Sequence, residues 1–139
     1  MNQASFHRIR GLSAILLAGV VLMGLSAQAW AWEPTLPKGA QGPVSWYQNG
    51  KDGRYFVPVV NGSISKPTTG KVTTDANCMP DAQGLSHCFN NIRLSSGELI
   101  TVQNTHKMSI HRCLRPGEYV KVQPNGSKTW AIVQTEPGR

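Results

Sequence analysis

Cys78, Cys88 and Cys113 are all the cysteines of this chain, and His87, His106, Met108 and His111 lie between the first and the last of them. Thiolate, thioether and imidazole are soft ligands. Together they select copper, Cu(I) above all, while Cys and His also suit zinc. The residues that could hold such an ion are His87, His106, Met108, His111 and Cys113. Their order departs from that of blue copper proteins, where a distant His precedes a Cys, His, Met loop. It also lacks the paired C-x-x-C halves of structural zinc sites. The competing expectation is structural cysteines with surface histidines and no ion.

Three cysteines in an exported chain imply one disulfide and one remaining thiol. The segment between Cys78 and Cys88 carries the turn formers Pro80, Asp81 and Gly84. A short loop of this kind closes readily, so the expected bridge is Cys78–Cys88, with Cys113 free. A bridge between Cys88 and Cys113 would instead staple two strands. The expected fate of Cys113 is a small buried apolar residue; exposed, it would favour an intermolecular disulfide or a metal.

Strand geometry constrains which donors meet. Side chains at i and i+2 share a face. If residues 105–113 stay extended, His106 and Met108 lie on one face with Ile110, while His111 and Cys113 lie on the other. At most one of these pairs then joins His87 or Cys88 from a neighbouring segment, and the face that includes Ile110 is expected to be core.

Catalysis has little support. Cys113 with His111, His106 or His87 could form a nucleophile and base, but G-x-S-x-G, H-E-x-x-H, P-loop and C-x-x-C patterns are all missing. Asp75, Asp81, Glu98 and Glu118 would pair only through tertiary contact. Arg112 and Arg115 are solvated charges or, with the nearby histidines, a basic patch for a carboxylate or phosphate.

The elements that must position these residues are short and extended. Residues 54–60, 71–76, 89–94, 98–104, 118–123 and 128–134 read as strands, with 63–66 as a short return strand. Ile92 and Leu94 share one face, as do Ile100 and Val102. Pro58 places its strand at an edge or a bulge. Pro124-Asn125-Gly126-Ser127 marks a hairpin. Residues 32–53 form a Pro/Gly-rich arm or linker, which Trp46 and Tyr47 would tie down. No window in this part of the chain has a sustained helical period. The expected fold is therefore all-β: a small single-domain antiparallel barrel of about seven short strands over residues 54–139.

Residues 1–31 read as a signal peptide with an N-terminal signal helix. Arg8 and Arg10 precede an apolar stretch from Leu12 to Leu25, and small residues follow at Ala27, Ala29 and Ala31. That stretch is shorter than the roughly 20 residues that span a bilayer, so a periplasmic or secreted location without a stable membrane span is expected. Without the leader, the chain has twelve Lys/Arg against seven Asp/Glu, a net charge of +5. This balance favours an anionic polymer or another envelope partner. The scattered charges and the export signal speak against nucleic acid. The expectation is an exported, non-catalytic β-domain that acts as an envelope binding module and takes copper or zinc in its sharpest form. The alternatives are a structural or adhesive module with one disulfide and no metal, and a small thiol-dependent enzyme.

Overall fold

A computed structural model describes residues 33–136; the signal peptide expected over residues 1–31 lies outside them. The described residues form six strands: β1 (Arg54–Asn61), β2 (Thr68–Ala76), β3 (Ser86–Leu94), β4 (Leu99–His106), β5 (Tyr119–Pro124) and β6 (Trp130–Thr135). They close into one antiparallel barrel in the order β1-β4-β3-β2-β5-β6, with β6 returning to β1. The all-β barrel expected from the alternation is the observed fold. The inward faces are also as read: Ile92, Leu94, Ile100 and Val102 are buried. No helix among the described residues is long and apolar enough to cross a membrane.

Two segments depart from expectation. Residues 63–66 do not pair as a strand. Pro67 lacks a backbone donor and restrains Lys66, and only the Ile64 amide, bonded to Lys128 O at 2.8 Å, ties the segment to the β5–β6 connection. Ile64 itself is buried and plugs that end of the core. Residues 105–113 are not continuously extended either. β4 stops at His106, and the amides of Ile110 and His111 both bond to Lys107 O at 2.9 Å, which turns the chain. The two-faced arrangement expected for an extended 105–113 is therefore not formed. Met108 and Ile110 are 46% and 54% exposed rather than core, whereas His106 is fully buried.

Pro58 is accommodated without a free edge. β1 pairs with β6 from Arg54 to Pro58 and with β4 at Val59 and Asn61, with a register shift between the last two. The missing N–H thus falls where the strand exchanges partners.

The arm is docked on the barrel. Trp46 packs with Phe56, Leu85, Trp130 and Ile132 in a second apolar cluster, with Leu36 and Tyr47 alongside. Trp46 and Trp130 stack tilted, their ring centres 6.3 Å apart. Asn49 is fully buried and replaces a missing strand neighbour. Its Nδ2 donates to Phe56 O at 3.0 Å and Thr105 O at 2.8 Å, and its Oδ1 accepts from the Phe56 amide at 2.8 Å. Further along, Asn125 and the Gln41 backbone exchange two bonds of 2.7 Å. Gly126 has φ +75°, and a Cβ there would sit 2.8 Å from Ala40 N, so this turn needs glycine for the arm to lie flat.

Candidate thiol and metal centre

The interior changes chemistry along β3 and β4. Opposed residues run Ile92 with Ile100, Asn90 with Val102, Cys88 with Asn104, and Ser86 with His106. All eight are buried. The first rung is apolar, the second pairs apolar Val102 with Asn90, and the last two line a polar chamber, because the same inward parity is filled with different side chains.

Asp75 reaches this chamber through a β-bulge. β2 and β3 pair Val72 with Ile92, then Thr74 with Asn91 and Asp75 with Asn90, with a register shift between Val72 and Thr74. Simple alternation from Val72 would turn Thr74 inward and Asp75 outward. The extra residue on β2 reverses this and aligns Asp75 with the inward Asn90. Asn90 Nδ2 donates to Asp75 Oδ1 at 2.9 Å.

Cys88 projects inward from β3 and is bonded to Cys78 in the loop after β2, the disulfide expected from the loop chemistry. Cys113, the free cysteine, enters from the segment that follows the 107–111 turn. Its Sγ lies 3.9 Å from Cys88 Sγ, and Asp75 Oδ1 lies 3.1 Å from Cys78 Sγ. The four donor atoms of Asp75, Cys78, Cys88 and Cys113 all fall within 4.8 Å of one another. Tyr55 fixes the incoming segment, its hydroxyl donating to Arg112 O at 2.6 Å. Burial pushes the Tyr55 phenol up to about 12, so it stays a donor. Burial, followed by the charge of Asp75 and a hydrogen bond to it, also raises the Cys113 thiol.

The polar chamber beside the sulfurs is under-satisfied by protein. Asn90 Oδ1, both side-chain polar atoms of Asn104, and His106 Nε2 are buried without a protein partner. His106 Nδ1 faces Asn104 O at 3.4 Å. A carbonyl only accepts, so Nδ1 carries the proton and Nε2 presents a lone pair. Burial holds His106 below the ordinary imidazole range, and Tyr55 meets its ring edge-on at 6.1 Å.

The other expected ligands lie elsewhere. His87 sits on β3 one residue before the inward Cys88 and so points to the opposite face. Its Nε2 pairs with Asp81 Oδ2 and its Nδ1 with Thr105 Oγ1, both at 2.9 Å. Asp81 also accepts from the Gln83 and Leu85 amides. Burial alone would raise the Asp81 carboxyl, but the bonds from His87 and the two amides outweigh it and hold the group low. His111 Nε2 faces Gln48 Oε1 at 3.3 Å, and Met108 is exposed. Among the described residues, the cluster of close donors contains Cys113 from the expected ligand set but none of the three histidines. Asp75, a candidate carboxylate by sequence, is absent from the expected metal-ligand set, because the bulge that turns it inward has no marker in the local alternation.

Arg112 and Arg115 converge on Glu118. Arg112 forms a two-pronged ion pair with its carboxylate, and the Arg115 amide donates to it at 3.1 Å. Burial would raise the Glu118 carboxyl, but the Arg112 bonds and the Arg115 amide lower it on balance. The Arg112 charge is therefore answered within the chain, while Arg115 contributes its backbone amide. A separate open groove of about 620 Å³ runs over the outer face of β2 and is lined by Lys71, Arg93 and Tyr119 among others.

Compared with known proteins, the chain matches no family model, no curated protein and no solved structure.

Proposed function

We propose that this chain is an exported, non-catalytic β-barrel module that binds a soft metal ion, copper or zinc, through Asp75, Cys78, Cys88 and Cys113. The observation that carries this reading is the mutual approach of three sulfurs and one carboxylate to within 4.8 Å. A tetrahedral zinc with Zn–S bonds near 2.3 Å sets its sulfurs about 3.8 Å apart. The Cys88–Cys113 separation of 3.9 Å is close to that. With the Cys78–Cys88 bond closed, two of the three sulfurs are engaged, so binding belongs to the reduced protein. Cys thiolates suit both ions, and the Asp75 oxygen favours zinc over Cu(I).

The test is anaerobic loading of the reduced protein with zinc or Cu(I), followed by native mass spectrometry against a competing chelator. One retained ion is expected, lost in Cys113→Ser and weakened in Asp75→Asn. His87→Ala and His111→Ala should retain it. If the reduced wild type holds no ion, or the histidine variants lose it, this assignment fails.

A second reading concerns the partner. The groove on β2 presents Lys71 and Arg93, with Lys71 Nζ held 5.3 Å from the centre of the Tyr119 ring. This arrangement suits an anionic polymer. Lys71→Glu with Arg93→Glu should abolish retention on a sulfated polysaccharide column at low salt; unchanged retention would remove the groove from consideration.

A further inference from the structure

We infer that Cys113 is the attacking thiol of an internal disulfide exchange, which moves the bond from Cys78–Cys88 to Cys88–Cys113 and leaves the free thiol on Cys78. The inference uses the same sulfurs as the metal reading but rests on the oxidised, metal-free protein.

Disulfides exchange by attack of a thiolate on one sulfur and departure of the other. Cys113 Sγ is 3.9 Å from Cys88 Sγ. Attack must also come in line with the Cys78–Cys88 bond. Cys113 Sγ, within 4.8 Å of Cys78 Sγ as well, now stands beside that bond. The sulfurs must therefore swing as well as close to about 3–3.5 Å, a movement of side chains and the Cys78 loop rather than of the barrel. Asp75 lies against both ends of the step, its carboxylate within 4.8 Å of the Cys113 sulfur and 3.1 Å from Cys78 Sγ. Cys113 loses its proton to solvent. Its sulfur forms a bond to Cys88 Sγ, the Cys78–Cys88 bond breaks, and Cys78 leaves as a thiolate that takes up a proton from solvent at the exposed loop. One S–S bond forms and one breaks, so nothing is oxidised or reduced overall. The charge moves through polar surroundings. Asn90 donates to Asp75, and Asn104, directly opposite Cys88, has an Nδ2 without a protein partner.

The two ends of the exchange differ in freedom. Cys88 is fixed in the barrel wall, and Cys113 is followed by the fully buried Leu114 and preceded by Arg112, whose carbonyl Tyr55 holds. Cys78 belongs to a loop whose neighbours Ala76, Asn77, Met79 and Pro80 are exposed. The exchange thus transfers a thiol from an anchored interior segment to a surface loop. There it can meet the disulfide of a second protein and form a mixed disulfide.

Oxidised, metal-free protein is treated with iodoacetamide at neutral pH for increasing times, quenched in acid and digested with pepsin. The expected result is growing alkylation of Cys78 together with a peptide pair linked through Cys88–Cys113, both lost in Cys113→Ser. Label confined to Cys113 with Cys78–Cys88 intact would overturn the inference, as would Cys78 labelling that persists in Cys113→Ser. Cys78→Ser gives an independent readout: mild oxidation should form Cys88–Cys113 and lower the mass by two hydrogens, and two persisting native thiols would count against the exchange. Metal retention is measured in reduced protein, so the two readings fail separately.

Discussion

The two ends of the barrel follow one folding rule and obey different energetics. At one end, Ile92 faces Ile100 with Val72, Val120, Val122 and Val133 around them. At the other, Cys88 faces Asn104 and Ser86 faces His106. Backbone pairing is continuous from one to the other, so the strands do not register the change. The apolar end is stabilised by burial and close packing. The polar end buries amide and imidazole atoms that the protein itself leaves unpaired, at a cost of about 1–3 kcal/mol for each neglected group. A barrel that tolerates this at one end must be held together by the other, by the disulfide and by the docked arm.

The largest effect should come from the apolar end. Ile92→Ala removes a fully buried side chain at the centre of the core and should destabilise by about 2–5 kcal/mol. Urea unfolding would measure it. A loss below about 1 kcal/mol would mean that the apolar rungs do not carry the fold.

Sulfur chemistry should produce the next effect, and it depends on which bridge remains. The Cys78–Cys88 bond spans 10 residues, and loop closure assigns it about 3 kcal/mol. Cys88 and Cys113 are 25 residues apart, so a bridge between them would constrain the unfolded chain at least as much. Cys78→Ser in oxidising buffer should therefore lose little stability, while Cys78→Ser with Cys113→Ser should lose about 3 kcal/mol. Equal losses in the two variants would show that the second bridge contributes nothing.

Replacing the polar end with hydrocarbon should act in the opposite direction. Asn104 is fully buried, and neither side-chain atom has a protein partner. Leucine has the same branched outline without the amide. Asn104→Leu should raise stability by about 1–3 kcal/mol and should slow the exchange from Cys78 to Cys113. A destabilised variant would show that the Asn104 amide is satisfied in solution, for instance through water.

These contrasts also separate what the chain shows locally from what it shows only when closed. The strand faces of Ile92/Leu94 and Ile100/Val102 follow from strict alternation, and the Cys78–Cys88 bridge from turn formers in a short loop. Asp75 is different. Its inward orientation depends on a register shift against β3, a relation between two strands that the β2 sequence does not encode by itself. The turn at 107–111 misled for a related reason. The residues Lys107 to His111 contain no Gly or Pro to announce a break, yet closing the barrel at His106 leaves β4 no partner to extend along, and the chain turns back over the opening. The histidines were conspicuous by proximity in sequence. Parity sends His87 outward and the turn carries His111 away, so nearness along the chain did not become nearness in space.

The smallest effect concerns pH. His106 is fully buried, and burial is the main reason that its folded-state pKa lies below the ordinary imidazole value of 6.5. The bond to Asn104 O and the charge of Asp75 push the other way, while His111 and His87 add to the lowering. A depressed histidine binds fewer protons when folded than when unfolded. The stability it leaves intact is present above about pH 6.5 and is lost as the pH falls below that, with a slope of at most about 1.4 kcal/mol per pH unit. The loss levels off once the pH passes below the folded-state value. Asp81 and Glu118 are held low by their partners, so their stabilisation persists through this window and fades only as the pH drops below the ordinary carboxylate range. Urea midpoints at pH 7 and pH 5.5 should therefore differ in the wild type and converge in His106→Gln, which keeps a polar group without a proton to gain. An unchanged pH difference in that variant would place the sensitivity outside the polar end of the barrel.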